Sequence, residues 1–395
     1  MTASREAAFR QDEILEAPLS ELIDMAVRTL ESGENRERID NPRPVRLKFG
    51  IGRSVYAKAF GFKTMDYFQD PEICLTVQLR WKLFNFHIMR DDTEFNADVG
   101  QDFSTAYEPS FFGLDSLFEE GKEPTYGRPV IREPEDLKNL QLPDFASSGL
   151  MPKAHETYRA LKELCGDRLH VFFPGWSRGP WSIATILRGF NELFLDCVDD
   201  PDFVKELMRF IVDSRLSWDK QRLDFLGVDP HDTDDRWMYC VYRRNWNGDL
   251  FEDEVDSSLF SPDMNRELVI PYQKQISDFY GGSGYYHSCG NLTPFLEDIS
   301  TLNIRFIQHI SGWTDFGTAA RIMPPGVVLQ CSLNATDDVL IASESHMRAR
   351  LEHFIGNALS TGRTIDICPD ALYEGGWDTI NKVKRMVEIF REIYP

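Results

Sequence analysis

The chain has no apolar run approaching the roughly 20 residues that a bilayer-spanning helix needs. Residues 1–20 also lack the apolar core of a secretory leader. Together these absences predict a soluble, cytoplasmic protein with no membrane partner. Positive charge is scarce as well. Lys and Arg total 43 against 64 Asp and Glu, a net charge of −21. Such a surface repels a phosphate backbone on average, so nucleic acid is not expected as a partner. Cysteine is sparse. The 7 thiols are scattered and odd in number, which argues against a secreted disulfide framework. No Walker loop, nucleophile elbow or zinc-protease helix occurs. Gly50-Ile51-Gly52-Arg53 lacks the third glycine of a dinucleotide fingerprint.

What is present suits one large barrel or two domains. The chain has 395 residues, of which 42% are hydrophobic and 12% aromatic. Residues 1–17 read as a polar arm. A helix is predicted over 18–33, with Ser20 as N-cap and Gly33 as terminator, and residues 34–44 read as a charged, proline-containing linker. From there, strand-like runs at 45–50, 95–100, 169–174, 223–228, 284–289, 304–310, 326–332 and 364–368 alternate with helix-like runs. That alternation predicts an α/β fold, a (β/α)8 TIM barrel over 42–395, with an N-terminal helical extension over 1–41.

Tyr285-Tyr286-His287-Ser288-Cys289-Gly290-Asn291 stands out within this pattern. Positions i and i+2 of a strand share a face. An imidazole at 287 and a thiolate at 289 can therefore converge on one borderline-soft metal ion. Cys368, at the end of the last predicted strand, is the candidate third ligand, with Cys331 as its rival. Three protein ligands with an open fourth position describe a catalytic zinc. The competing reading is a structural histidine and buried thiols.

These residues, with Cys368-Pro369 downstream, resemble the uroporphyrinogen decarboxylase superfamily. More narrowly, they are similar to its zinc-dependent, corrinoid-linked methyltransferase branch. The resemblance is clear in the C-terminal half and faint before residue 160. It implies one Zn²⁺ per chain on His287, Cys289 and Cys368, and cobalamin supplied in trans by a corrinoid protein. Asp229-Pro230-His231 begins like a corrinoid-binding signature, but Asp234 stands where that signature needs glycine, so no built-in cobalamin domain is expected. The decarboxylases proper carry an arginine-rich first-strand motif. Here only Arg53 remains, in Phe49-Gly50-Ile51-Gly52-Arg53-Ser54.

Other candidates cluster near predicted strand ends. Asp234 and Asp235 match an acidic pair of the methyltransferase branch and are candidate catalytic groups, as is His309. Arg53, Trp237, Tyr239, Trp313 and Asn334 are candidate substrate contacts, and Asp315 lies nearby. Trp176, Trp181, Phe172 and Phe173 suit either the core or an apolar pocket. The expected activity is methyl transfer between a small substrate and the corrinoid partner, with O-demethylation of a methoxylated aromatic favoured. Alternatives are methyl transfer from methylcobalamin to a thiol, a metal-free decarboxylase, and a non-catalytic carrier of metal or corrinoid. A homodimer is compatible with the sequence.

Overall fold

The structure, a computed structural model, describes residues 9–101, 103–231, 250, 255, 259–369 and 372–395. The chain forms a (β/α)8 barrel. Its strands are β1 (Val45–Leu47), the short hairpin β2 (Ser116–Leu117) and β3 (Thr125–Tyr126), then β4 (Ser283–Tyr286), β5 (Ile304–Ile310), β6 (Val328–Leu333) and β7 (Ile365–Pro369). All but the hairpin form one parallel sheet in the order β1-β7-β6-β5-β4. Single parallel bridges add the rest of the wall: Val99 pairs with Val171, and Leu250 pairs with Tyr286. A further bridge from Ile51 to Leu372 continues the β1/β7 seam toward the mouth.

Several expected strands are corrected: 95–100 and 169–174 pair only through the single Val99–Val171 bridge, the run at 284–289 stops as a strand at Tyr286, and 223–228 is lost altogether. Residues 223–228 do not form a strand. They end the long helix Pro201–Leu226, which begins with the Asp200 side chain accepting from the Phe203 amide and stops at Gly227 in the left-handed region. Leu207, Ile211, Trp218 and Leu223 are all buried along it, so the apolar stripe simply continues into Leu-Asp-Phe-Leu. The fourth wall position falls at Leu250 instead.

The N-terminal region also differs from expectation. Its helix spans Leu19–Glu31 and follows Pro18, so Ser20 is inside it and does not cap it. The expected linker is a helix, Gly33–Asp40, capped by the Ser32 hydroxyl at the Asn35 amide. Tertiary bonds hold this polar helix in place. Asn35, fully buried, donates to the Phe95 carbonyl and accepts from the Phe95 amide, and Arg38 donates to the carbonyls of Asp91 and Thr93.

The barrel interior is polar, and strand pleating explains how. Val45 and Leu47 join the apolar core, while Arg46 and Lys48 alternate with them. Inside, Arg46 Nε lies 2.5 Å from Asp366 Oδ1, and Lys48 Nζ lies 3.0 Å from Glu94 Oε2 and 3.6 Å from Asp366 Oδ2. Arg46, Lys48 and Asp366 are at most 1% exposed and Glu94 is 8% exposed. Removing several charges from water costs several kcal/mol per ion, so the four must be mutually paired to persist.

Candidate functional site

The mouth of the barrel is built where the strands end. β4 stops at Tyr286, so His287 and Cys289 lie just beyond the strand, in a turn bolted from three sides. The His287 amide donates to the Leu250 carbonyl. The Ser288 hydroxyl both accepts from the Val255 amide and donates to its carbonyl. The Gly290 carbonyl accepts from the hydroxyls of Ser311 and Thr314, which follow β5. Every polar backbone group tied in this way fixes where the two donor side chains project.

His309, expected as a base or a supporting donor, is buried beside them. Its Nδ1 lies 2.9 Å from the Ser288 carbonyl oxygen and its Nε2 lies 2.6 Å from the Ser332 hydroxyl. A carbonyl only accepts, so Nδ1 carries the proton and Nε2 accepts from Ser332. Burial, then the neighbouring His287, holds its pKa well below the ordinary histidine value, consistent with this neutral tautomer. The rings of His309 and His287 are 4.1 Å apart between centroids. His287 is pushed down to about 4, first by burial and then by the Arg178 charge.

The donors fit a metal in part. Cys289 Sγ lies 3.9 Å from His287 Nε2. Two corners of a tetrahedral zinc site, one imidazole and one thiolate, are separated by roughly 3.6 Å on standard bond lengths. Cys368 is on β7 in register with Ser332, so contacts run from His287 through His309 and Ser332 to the strand that carries it. Its Sγ lies 3.5 Å from its own Pro369 carbonyl oxygen. Among the described residues no group of three His, Cys, Asp or Glu side chains is gathered closely enough to hold a metal ion. Cys331 is turned away. It follows Gln330 and precedes Ser332 on β6, and it packs in the apolar core outside the barrel. Burial, reinforced by Asp366, pushes its thiol up, which disfavours the thiolate.

A cavity of about 280 Å³ opens elsewhere in the mouth, and among the described residues His287, Cys289, His309 and Cys368 are not in its wall. It is lined by the exits of β1 and of the Val99 and Val171 segments, with Tyr373 after β7. Its walls mix aromatic rings, among them Tyr56, Tyr67, Trp81 and Phe172, with charged and polar side chains. Trp81 lies between Tyr56 and Tyr67, with centroid distances of 5.8 and 5.9 Å. Glu94, from the buried ion cluster, reaches the cavity, and so does Arg178, the residue whose charge acts on His287. A larger, open groove of about 860 Å³ lies beside Arg43, Arg46 and the last helix, Trp377–Ile393. It sits at the N-terminal end of β1, the end that in such barrels serves stability.

The remaining candidates separate cleanly. Arg53 lines the cavity, where its Nε lies 3.0 Å from Glu123 Oε2 and its guanidinium lies 5.2 Å from the Tyr67 ring centroid. Asn334 caps the helical turn Ala335–Leu340, accepting from the Asp337 amide, and Asp315 caps Phe316–Ile322 in the same way. Trp313 is 78% exposed and, like Asn334, is not a cavity wall. Phe172 is a wall, whereas Phe173, Trp176 and Trp181 belong to the core. Asp234, Asp235, Trp237 and Tyr239 lie outside the described residues. Sequence reasoning missed Glu94, Gln78, Lys82 and Arg178 as cavity walls. No motif marks them, and only their nearness to strand exits could have suggested them.

Residues 57–218 match the family profile described as Uroporphyrinogen decarboxylase (URO-D). No curated protein matches the chain. Among solved structures, the chain is similar to a "methyltransferase from Methanosarcina mazei". The identity is 15%, with 95% of this chain and 99% of that one covered and a TM-score of 0.60.

Proposed function

We propose that the chain is a zinc-dependent methyltransferase that moves a methyl group between a small substrate and the cobalamin of a separate corrinoid protein. The observation that carries this reading is the His287–Cys289 pair, 3.9 Å apart just beyond β4 at the barrel mouth. The fold is also that of a solved methyltransferase. His287, Cys289 and Cys368 would hold the metal, with Cys368 closing a set of which two members already stand together. When bound, zinc supplies positive charge to the heteroatom from which the methyl group leaves or to which it is added.

The chain's own residues provide the rest. Neutral His287 offers a nitrogen lone pair, and His309, fixed by Ser288 and Ser332, holds the turn that carries both donors. The cavity, with its aromatic faces and polar groups, binds and orients the substrate. We favour a methoxylated aromatic as methyl donor, because Trp81, Tyr56, Tyr67 and Phe172 give the cavity faces on which a ring can stack. Transfer from methylcobalamin to a thiol uses the same groups in the opposite direction.

A second reading, a metal-free decarboxylase, draws on the family profile over residues 57–218. It is weakened by Arg53, whose guanidinium is already engaged by Glu123. Metal analysis by mass spectrometry on protein purified without added zinc separates the two. About one zinc per chain, lost in Cys368→Ser, supports the methyltransferase. No metal before or after zinc addition overturns it and favours the decarboxylase.

A further inference from the structure

Two glycines at the cavity have no room for a side chain, and in each case an aromatic ring occupies the space. A Cβ on Gly100 would lie 2.5, 2.7 and 2.7 Å from three ring atoms of Phe172. A Cβ on Gly52 would lie 2.5 Å from the Tyr373 ring and 2.9 Å from the Leu372 carbonyl oxygen. Gly52, Gly100, Phe172 and Tyr373 all line the cavity.

The Gly100 contact is the more informative one, because both backbones are pinned. The Gln78 side chain, 3% exposed, donates to the Gly100 carbonyl at 2.7 Å and accepts from its amide at 3.2 Å. The Phe172 amide donates to the Val99 carbonyl, and the Val99 amide donates to the His170 carbonyl. Gly100 is not among the glycines with positive φ, so alanine there meets no backbone penalty. A methyl group at position 100 therefore leaves one cheap adjustment, rotation of the Phe172 ring away from it and into the cavity that the ring borders. Glycine at 100 is what allows Phe172 to lie flat against the wall.

We propose that Gly100 and Phe172 form a specificity gauge that sets the cavity width to a single planar ring, making Phe172 the face on which an aromatic substrate stacks. The assignment rests on the aromatic-substrate reading above and deepens it. The cavity volume of about 280 Å³ suits one substituted ring, since an apolar cavity of about 150 Å³ already holds benzene. Offset stacking on Phe172 is favourable for any six-membered aromatic. A branched aliphatic methyl donor gains nothing comparable from that face.

The test is calorimetric binding to the full chain of 1,2-dimethoxybenzene, 2-methoxynaphthalene and trimethylamine, with Gly100→Ala, Phe172→Ala and the double variant. We expect the unsubstituted protein to prefer the one-ring probe over the other two. Gly100→Ala weakens that probe by about tenfold or more, the scale of a one-methylene misfit. Phe172→Ala shifts preference toward the two-ring probe. The double variant binds better than Gly100→Ala alone, because the ring displaced by the methyl is gone. Unchanged one-ring binding in Gly100→Ala, additive losses in the double variant, or preference for trimethylamine each overturn the proposal. Thermal unfolding checks the fold of each variant, and if Gly100→Ala does not fold, Phe172→Leu and Phe172→Ala carry the test through probe preference. The expected binding pattern without any methyl transfer to cob(I)alamin leaves the gauge standing and sinks the methyltransferase reading. Methyl transfer from 1,2-dimethoxybenzene with a KM unmoved by Gly100→Ala sinks the gauge alone.

Discussion

His309 and Ser288 are joined by a bond that ties one strand exit to the next: the imidazole Nδ1–H donates to the carbonyl of the residue between His287 and Cys289. The ring thereby acts on the donor pair through the backbone and not by direct coordination. His309→Ala should leave the Ser288 carbonyl and the Ser332 hydroxyl without this partner, at a cost of about 1–3 kcal/mol. Loss of such an outer contact should also weaken zinc by about 10–100-fold. Zinc competition with a chromogenic chelator, beside urea unfolding, checks both. Unaltered zinc affinity in a folded variant would remove His309 from the positioning role.

Cys331 and Cys368 give a paired prediction. Cys331 packs in the apolar layer outside the barrel, so Cys331→Ser should keep its zinc while losing about 1–3 kcal/mol from a hydroxyl buried among apolar groups. Cys368→Ser should keep most of its stability and lose the metal. Metal analysis and urea denaturation on the same two samples decide it, and the reverse pattern would exchange the third ligand.

The ion cluster in the barrel should respond asymmetrically. Lys48→Met leaves Glu94 and Asp366 without one of their cations and should destabilise the fold by about 3–5 kcal/mol. Adding Glu94→Gln to Lys48→Met should recover part of that loss, because a buried carboxylate is neutralised. Urea midpoints for the unsubstituted chain, both single variants and the double variant test this. Strict additivity would show that the charges do not interact as the distances require.

His87 predicts an acid limb in stability. Burial pushes it down to about 4, although Glu34 opposes the shift. A depressed histidine favours the fold above its unfolded value of about 6.5, and that contribution is lost as pH falls toward 4. Asp91 acts in the opposite sense. Burial raises it to about 6, so its contribution is present below about 4 and is lost as pH rises through 6. Thermal midpoints measured from pH 7 to pH 4.5 should fall less steeply in His87→Gln than in the unsubstituted chain. Parallel curves would count against the burial effect at His87.

Much of the wall was legible in the sequence. The run Ile304–Ile310 is a strand over its whole expected length, because β-branched residues and flanking turns bound it on both sides. The segment 223–228 was misread because a short apolar run fits a strand or a helix end equally, and only Gly227 in the left-handed region distinguishes them. Val-Arg-Leu-Lys at 45–48 reads as a strand with one wet face. In the barrel both faces are dry, and the polar one meets Glu94 and Asp366. The His287–Cys289 proximity was legible because it is local. The Gly100–Phe172 contact was not, since it joins segments brought together only by the Val99–Val171 bridge.

The β1/β7 seam also bears on how the chain is made. Strand β1 pairs in the sheet with β7, and Arg46 and Asp366 are separated by 320 positions. A ribosome that has released β1 must synthesise nearly the whole remaining chain before its partner strand emerges. Throughout that interval Arg46 and Lys48 lack Asp366, and the edge of β1 is open to pairing with other chains. The barrel therefore closes at this seam only once synthesis is nearly complete, which makes the joining of β1 to β7 a late, long-range step of folding.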